Sequence, residues 1–385
     1  MDACIFASMQ ETISAGTTTP RAEVKFKTGE DLQFFQTLRK RVDAYFREHK
    51  LSKNANATMV VKTTVLISAY VLPFVAILIF NLPFLISLGL WLLMGIAMAG
   101  IGMSVMHDAN HGAYSANEKV NKFMGLSLNM LGGMVYNWKL QHNVLHHTYT
   151  NIAGMDEDID TKVIMRFSPH APHKHLHKGQ WWYAFFFYGI MTIYWGLAKD
   201  IIQYFSYKKK GLNKNSRPQN ISLFTRIAAT KLIYHFILLV VPVLVGIPFW
   251  QALVGYVVMH FACGTILSVV FQLAHTVEGT VHPLPDEAGN LEDSWAVHQL
   301  RTTMNFAREN KWLSWYVGGL NFQVEHHLFT RICHVHYPAI APIVKQTAEE
   351  FGYPYLENGT FGQALASHIR LLKKFGRPPL DEIMG

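Results

Sequence analysis

With 385 residues the chain has room for one large domain or two ordinary ones, yet half of it is hydrophobic, 13% is aromatic and only 16% is charged. Soluble domains carry roughly 25% charge, so the composition argues for a membrane protein. The net charge of +8 comes with no readable nucleic-acid motif, which leaves basic loops beside a bilayer as its reading and excludes nucleic acid as a partner.

In chain order, residues 1–58 form a polar, charged N-terminal arm, in which Leu32, Phe35, Leu38, Val42 and Phe46 recur at helical spacing. They predict an amphipathic helix packed on the protein's own body or lying on the membrane. No basic stretch leads into an apolar run at the start, so no cleavable signal is expected. Residues 59–385 read as a single membrane domain. Its apolar runs at about 59–80, 84–106, 231–250 and 251–274 are each long enough to cross a bilayer as a helix. The turns at 81–83 and 246–251 carry no Lys or Arg, whereas the arm, the 107–230 segment and the C-terminal third carry nearly all of them. The positive-inside rule therefore predicts two transmembrane hairpins with both termini and a helical cap in the cytosol. The aromatic stretch Trp181–Tyr204 contains Lys199 and Asp200 and reads as an interfacial helix. Lys208, Lys209 and Lys210 read as a topology signal beside anionic lipid. Cys4, Cys263 and Cys333 are too scattered for a disulfide framework or a thiolate metal site.

The histidines do not scatter. His107 and His111 follow the second span, His142, His146 and His147 lie in the long segment after it, and His326 and His327 lie beyond the fourth span. All fall on the predicted cytosolic side. His275 stands at the same end of the fourth span and joins them as an expected ligand. Residues four apart share a helix face, so His107 with His111, and His142 with His146, are each predicted to chelate one ion. The doublets His146–His147 and His326–His327 suit two ions side by side. Eight imidazoles exceed what one zinc needs, but the residues alone leave zinc, iron, copper and nickel open. His235 and His260, inside later spans, read as packing and hydrogen-bonding groups. His170, His173, His175 and His177 read as a solvated loop, and His334 and His336 as packing in the C-terminal fold.

The three clusters, H-x3-H, H-x3-H-H and Q-x2-H-H headed by Gln323, resemble the histidine boxes of membrane fatty-acid desaturases. The Gln and the flanks "WAVHQLRTTMNFA" and "GGLNFQVEHHLF" are similar to the front-end group, which includes linoleoyl-CoA Δ6 and Δ5 desaturases. The resemblance implies an all-α membrane fold and a centre of two non-haem irons that uses O2 to desaturate a fatty acyl chain. Its implied ligands are His107, His111, His142, His146, His147, His275, His326 and His327. Gln323 stands where other desaturases have His, and its amide can ligate metal or hold a water. Asp108, Asp156 and Glu325 are expected to bond ligand histidines from behind. His298, in the first flank, is expected at the head-group end of the substrate tunnel. The arm is too short for a fused cytochrome b5 domain and lacks its HPGG motif, so a separate donor such as ferredoxin or cytochrome b5 is expected. A di-iron hydroxylase shares the same first hydrogen abstraction, and a metal transporter needs polar groups at midplane that these spans lack.

Overall fold

The structure is a computed structural model that describes residues 24–29, 31–160 and 164–378. The start of the arm, with Cys4, lies outside the described residues.

Helix α1 (Asp31–Glu48) is amphipathic, but its buried face is Phe34, Leu38, Val42 and Phe46. Leu32 is exposed and Phe35 half-buried, so the stripe starts two residues later than the apolar spacing suggested. It packs on the C-terminal helices, within a cluster that includes Val297, Phe322, Tyr337 and Ile340.

Four helices are long and apolar enough to cross a membrane: α2 (Ala57–Ile79), α3 (Phe84–His111), and, later in the chain, Arg217–Leu244 and Phe249–His275. Asn56 caps α2, accepting from the Met59 N–H at 3.2 Å. Leu82 and Pro83 break the chain before α3. The helix α3 ends at Gly112, whose φ of 76° lets the chain turn away directly after His111. A helical segment at 135–149, α4, carries the second box, and a long helix at 180–209, α5, holds the aromatic stretch. Then come α6 (Arg217–Leu244) and α7 (Phe249–His275), separated by a turn around Gly246 and Pro248.

The helix that carries the expected 231–250 run begins earlier, at Arg217, and ends at Leu244. Ser216 and Gln219 form a capping box around Pro218, and this start signal outweighs the polar residues of the first turns. Buried in that span, Lys231 reaches the Asp200 carboxylate of α5 at 2.5 Å and the Gly132 and Trp195 carbonyls at 2.6 and 2.5 Å. That satisfies a charge which otherwise could not sit there.

Close helix approach organises the bundle. A Cβ on Gly264 of α7 would stand 2.6 Å from the Gly189 carbonyl of α5, and one on Gly95 of α3 would collide with the Met259 carbonyl of α7. His235 and His260 are hydrogen-bonded in this interior, His260 to Tyr234 and Thr192 at 2.9 and 3.1 Å, His235 to Tyr256 at 3.0 Å. The cap is completed by α8 (Trp295–Thr302), α9 (Gln323–Leu328), α10 (Tyr337–Glu350) and α11 (Phe361–Phe375), with one two-residue parallel pairing of Asn305–Phe306 with Glu357–Asn358.

Candidate metal centre

The carboxyl ends of α3 and α7 lie at the same end of the bundle, where α4 and α9 close over them. This brings every box histidine into one buried cluster. His107, His111, His142 and His326 form one group whose ring nitrogens lie within 4.8 Å of one another, and His146, His275 and His327 form another. His147 sits between them, its ring 4.6 Å from that of His326 and 4.4 Å from that of His327. The doublet His326–His327 therefore parts between the two groups, and His147 meets both of its rings.

The helix windings differ from ideal α where the site is built. Residues Ile101–Val105 and Lys139–His146 are π-helical, a winding that recurs at functional sites. In the second stretch His142 and His146 come together in a group with Asp158, and each also joins another set. Their rings stack 5.3 Å apart, but His142 Nε2 lies 3.2 Å from His107 Nε2, while His146 groups with His275 and His327. His107 and His111 also stay together, with rings 4.7 Å apart.

Partners behind the rings fix which nitrogen is offered. His146 Nδ1 faces Asp156 Oδ2 at 3.1 Å, and that carboxylate also accepts from the Asn151 and Asp158 backbone N–H groups. His327 Nδ1 meets Gln299 Oε1 at 2.7 Å, His326 Nδ1 meets the Tyr337 hydroxyl at 3.3 Å, and His275 Nδ1 meets the Thr302 carbonyl at 3.4 Å. The opposite nitrogens of His146 and His326, and Nε2 of His111, are buried without a partner among the described residues. Orphaned buried nitrogens are costly unless something binds them. Burial, followed by repulsion from neighbouring imidazoles, pushes His142, His147, His326 and His327 well below the usual histidine range. That favours the neutral ring, which has a lone pair to offer. Burial also lowers His146, but the Asp156 charge and hydrogen bond prevail and raise it. Buried, converging imidazoles in two groups, several of them with an unpartnered nitrogen among the described residues, fit a pair of transition-metal ions.

Gln323 enters the second group: its Nε2 is 2.9 Å from His275 Nε2 and 3.5 Å from His327 Nε2, and its Oε1 is buried and unpartnered. Asp108 lies 3.7 Å from His107 Nδ1 and bonds more closely to His334 Nδ1, at 2.8 Å. His334 is thus tied to the centre rather than merely packing the C-terminal fold. Glu325 turns away from the histidines, accepting from Tyr355 and Asn305 at 2.8 and 2.9 Å. As α9 presents His326 and His327 inward, the residue before them must face another side. Buried His298 touches Phe26 edge-on. In the 170–177 loop His175 is exposed, while His170 and His173 bond the His282 and Gly376 carbonyls. Gln299, Tyr337 and Thr302 were missed from sequence. Gln299 stood inside the quoted "WAVHQ" flank, next to the histidine that drew attention.

A buried poly-histidine centre at one end of four membrane-length helices defines a membrane metalloprotein class. The fatty acid desaturase family model matches residues 82–359. The chain is 35% identical to an sn-1 linoleoyl-lipid 6-desaturase of Arthrospira platensis, covering 94% of this chain and 97% of that one. It is 36% identical to the enzyme of the same name from a Synechocystis species, covering 89% and 96%. An acyl-lipid (8-3)-desaturase of Physcomitrium patens is 33% identical over 92% of this chain and 74% of that one. The chain belongs to the fatty acid desaturase family: it is an oxidoreductase that desaturates fatty acyl chains, of the front-end kind.

Proposed function

We propose that the two histidine groups hold two non-haem irons, one with His107, His111, His142 and His326, the other with His146, His275, His327 and the Gln323 amide, with His147 between them. Such a pair would activate O2 and take two hydrogens from the acyl chain, with two electrons and two protons completing reduction of O2 to water. The residues themselves hold the geometry. Asp156, Gln299, Tyr337 and the Thr302 carbonyl keep Nδ1 of their histidines occupied, so that Nε2 faces the centre. Trp138 against His142, at 4.6 Å, and Phe271 against His146 and His275, at 5.0 and 4.8 Å, wall the centre with apolar surface that excludes water.

The substrate class follows the Arthrospira and Synechocystis relatives: a polyunsaturated acyl chain esterified in a membrane lipid, desaturated on the carboxyl side of its existing bonds. His298 serves the head-group end of the chain's path. Electrons come from a separate donor such as ferredoxin or cytochrome b5. The basic segments flanking the spans support a cytosolic centre and cytosolic termini. The observation that carries this reading is the convergence of eight box and span histidines, from four separate segments, into two adjoining groups. Expression in a host lacking the activity, fed linoleate, is expected to yield a triene whose new double bond lies between the carboxyl group and the existing ones. A hydroxylated product, or a bond on the methyl side, would contradict it.

A further inference from the structure

Behind His107 runs a buried chain of polar groups that the ligand set does not include. Lys62, in the second turn of α2, is 1% exposed, and its Nζ lies 2.6 Å from His334 Nε2. His334 Nδ1 lies 2.8 Å from Asp108 Oδ2, which also accepts the His334 backbone N–H at 3.2 Å. The other carboxylate oxygen, Oδ1, faces His107 Nδ1 at 3.7 Å. His107 Nδ1 has no hydrogen-bond partner among the described residues, and His107 Nε2 points at His142. The three groups come from the first span, the second span and the loop beyond α9, so one chain joins three segments of the fold.

Hydrogen-bond chemistry fixes the order. An ammonium only donates, so His334 Nε2 must accept; the His334 proton then sits on Nδ1 and is donated to Asp108. The carboxylate is thereby held ionised and aimed, with its second oxygen beside His107 Nδ1. At 3.7 Å it acts on His107 as a charge rather than as a close acceptor. A negative charge there favours the tautomer with hydrogen on Nδ1, which leaves the Nε2 lone pair turned to the centre. We propose that Lys62 and His334 are positioning residues that, through Asp108, set the tautomer and orientation of His107. The proposal rests on His107 being a metal ligand.

Two contrasts support a dedicated role. The other buried lysine among the described residues, Lys231, meets its carboxylate directly, whereas Lys62 reaches Asp108 only through an imidazole, with the Trp315 ring 5.4 Å from its Nζ. Asp108, Cys333 and His334 also come close enough together to suggest a third metal site. The Lys62 ammonium already occupies His334 Nε2 and would repel a cation there.

The test is Co2+ binding to metal-free, detergent-solubilised full-length protein, followed by its visible absorption, with thermal unfolding recorded beside it. Lys62→Met removes the donor and is expected to weaken Co2+ binding about 10–100-fold, the usual cost of losing an outer partner of a ligand. Lys62→Gln keeps an N–H donor and is expected to regain most of the loss. Wild-type affinity in Lys62→Met, or a Gln variant as weak as the Met one, would overturn the proposal. If Lys62→Met does not fold, Asp108→Asn is compared with Lys62→Met/Asp108→Asn, which buries no lone charge. Equal affinities support action through Asp108, and a further tenfold loss in the double variant overturns it. Wild-type protein that binds no Co2+ would instead overturn the ligand reading beneath the proposal, a result the variants cannot mimic.

Discussion

Gln323 Nε2 stands 2.9 Å from His275 Nε2, so the amide at the head of the third box reaches across to the end of the fourth span. Its unpartnered Oε1 lies in the same buried space. An amide is a neutral, weaker ligand than imidazole and can hold water instead. Gln323→Ile, similar in bulk without either capacity, is expected to lower turnover at least about 10-fold while the protein stays folded. Gln323→His is expected to keep part of the activity. Product yield and bound iron for both variants check this; full activity with full iron in the Ile variant would reduce Gln323 to packing.

His146→Ala and His327→Ala are expected to abolish product formation, since each removes a ring from the group that also holds His275. His175→Ala is expected to leave activity near wild type, its ring being exposed away from both groups. Fatty-acid profiling of cells expressing each variant decides, and the reverse pattern would move the centre to the 170–177 loop.

Gln299 accepts from the Thr150 hydroxyl at 3.0 Å and faces His327 Nδ1 at 2.7 Å. Gln299→Leu removes the shorter of that nitrogen's two rear contacts, leaving the Thr150 hydroxyl at 3.4 Å, and is expected to cost about 10-fold in activity or metal affinity. Gln299→Glu retains an acceptor and is expected to lose less. Iron content and turnover measured together distinguish this from a simple folding defect, which would lower the protein's yield instead.

The Lys231–Asp200 pair is a separate test of the fold. Asp200→Leu strands a buried ammonium in the third span and is expected to cost about 3–5 kcal/mol of stability. Lys231→Met/Asp200→Leu removes both charges and is expected to return close to wild type. Thermal unfolding in detergent reads both.

The box histidines could be found in sequence because spacing and sidedness are local properties: His107 with His111, and the two doublets, need only a helix and a topology. What the sequence concealed comes from afar. His334 meets Asp108 across 226 positions, and Gln299 meets Thr150 across 149. No periodicity reports such a contact. The π winding of Lys139–His146 also escaped, because a four-residue spacing looks the same in sequence whichever helix it forms; His142 meets His107 and His146 meets His275 and His327, while the two also group with Asp158. The third long helix extends beyond its apolar run for a related reason. Hydropathy sees apolar side chains, not a Lys231 neutralised by Asp200 or a cap at Ser216. Glu325 was drawn to the site by adjacency alone, and the turn of α9 carries it to Asn305 and Tyr355 instead.

The most direct test of the central claim is the metal content of the purified protein after expression in iron-replete medium. Two adjoining groups of buried, converging imidazoles, several with an unpartnered nitrogen among the described residues, call for about two irons per chain, lost together in His146→Ala. One tightly bound zinc and no iron, in protein that is folded by thermal unfolding, would contradict the account.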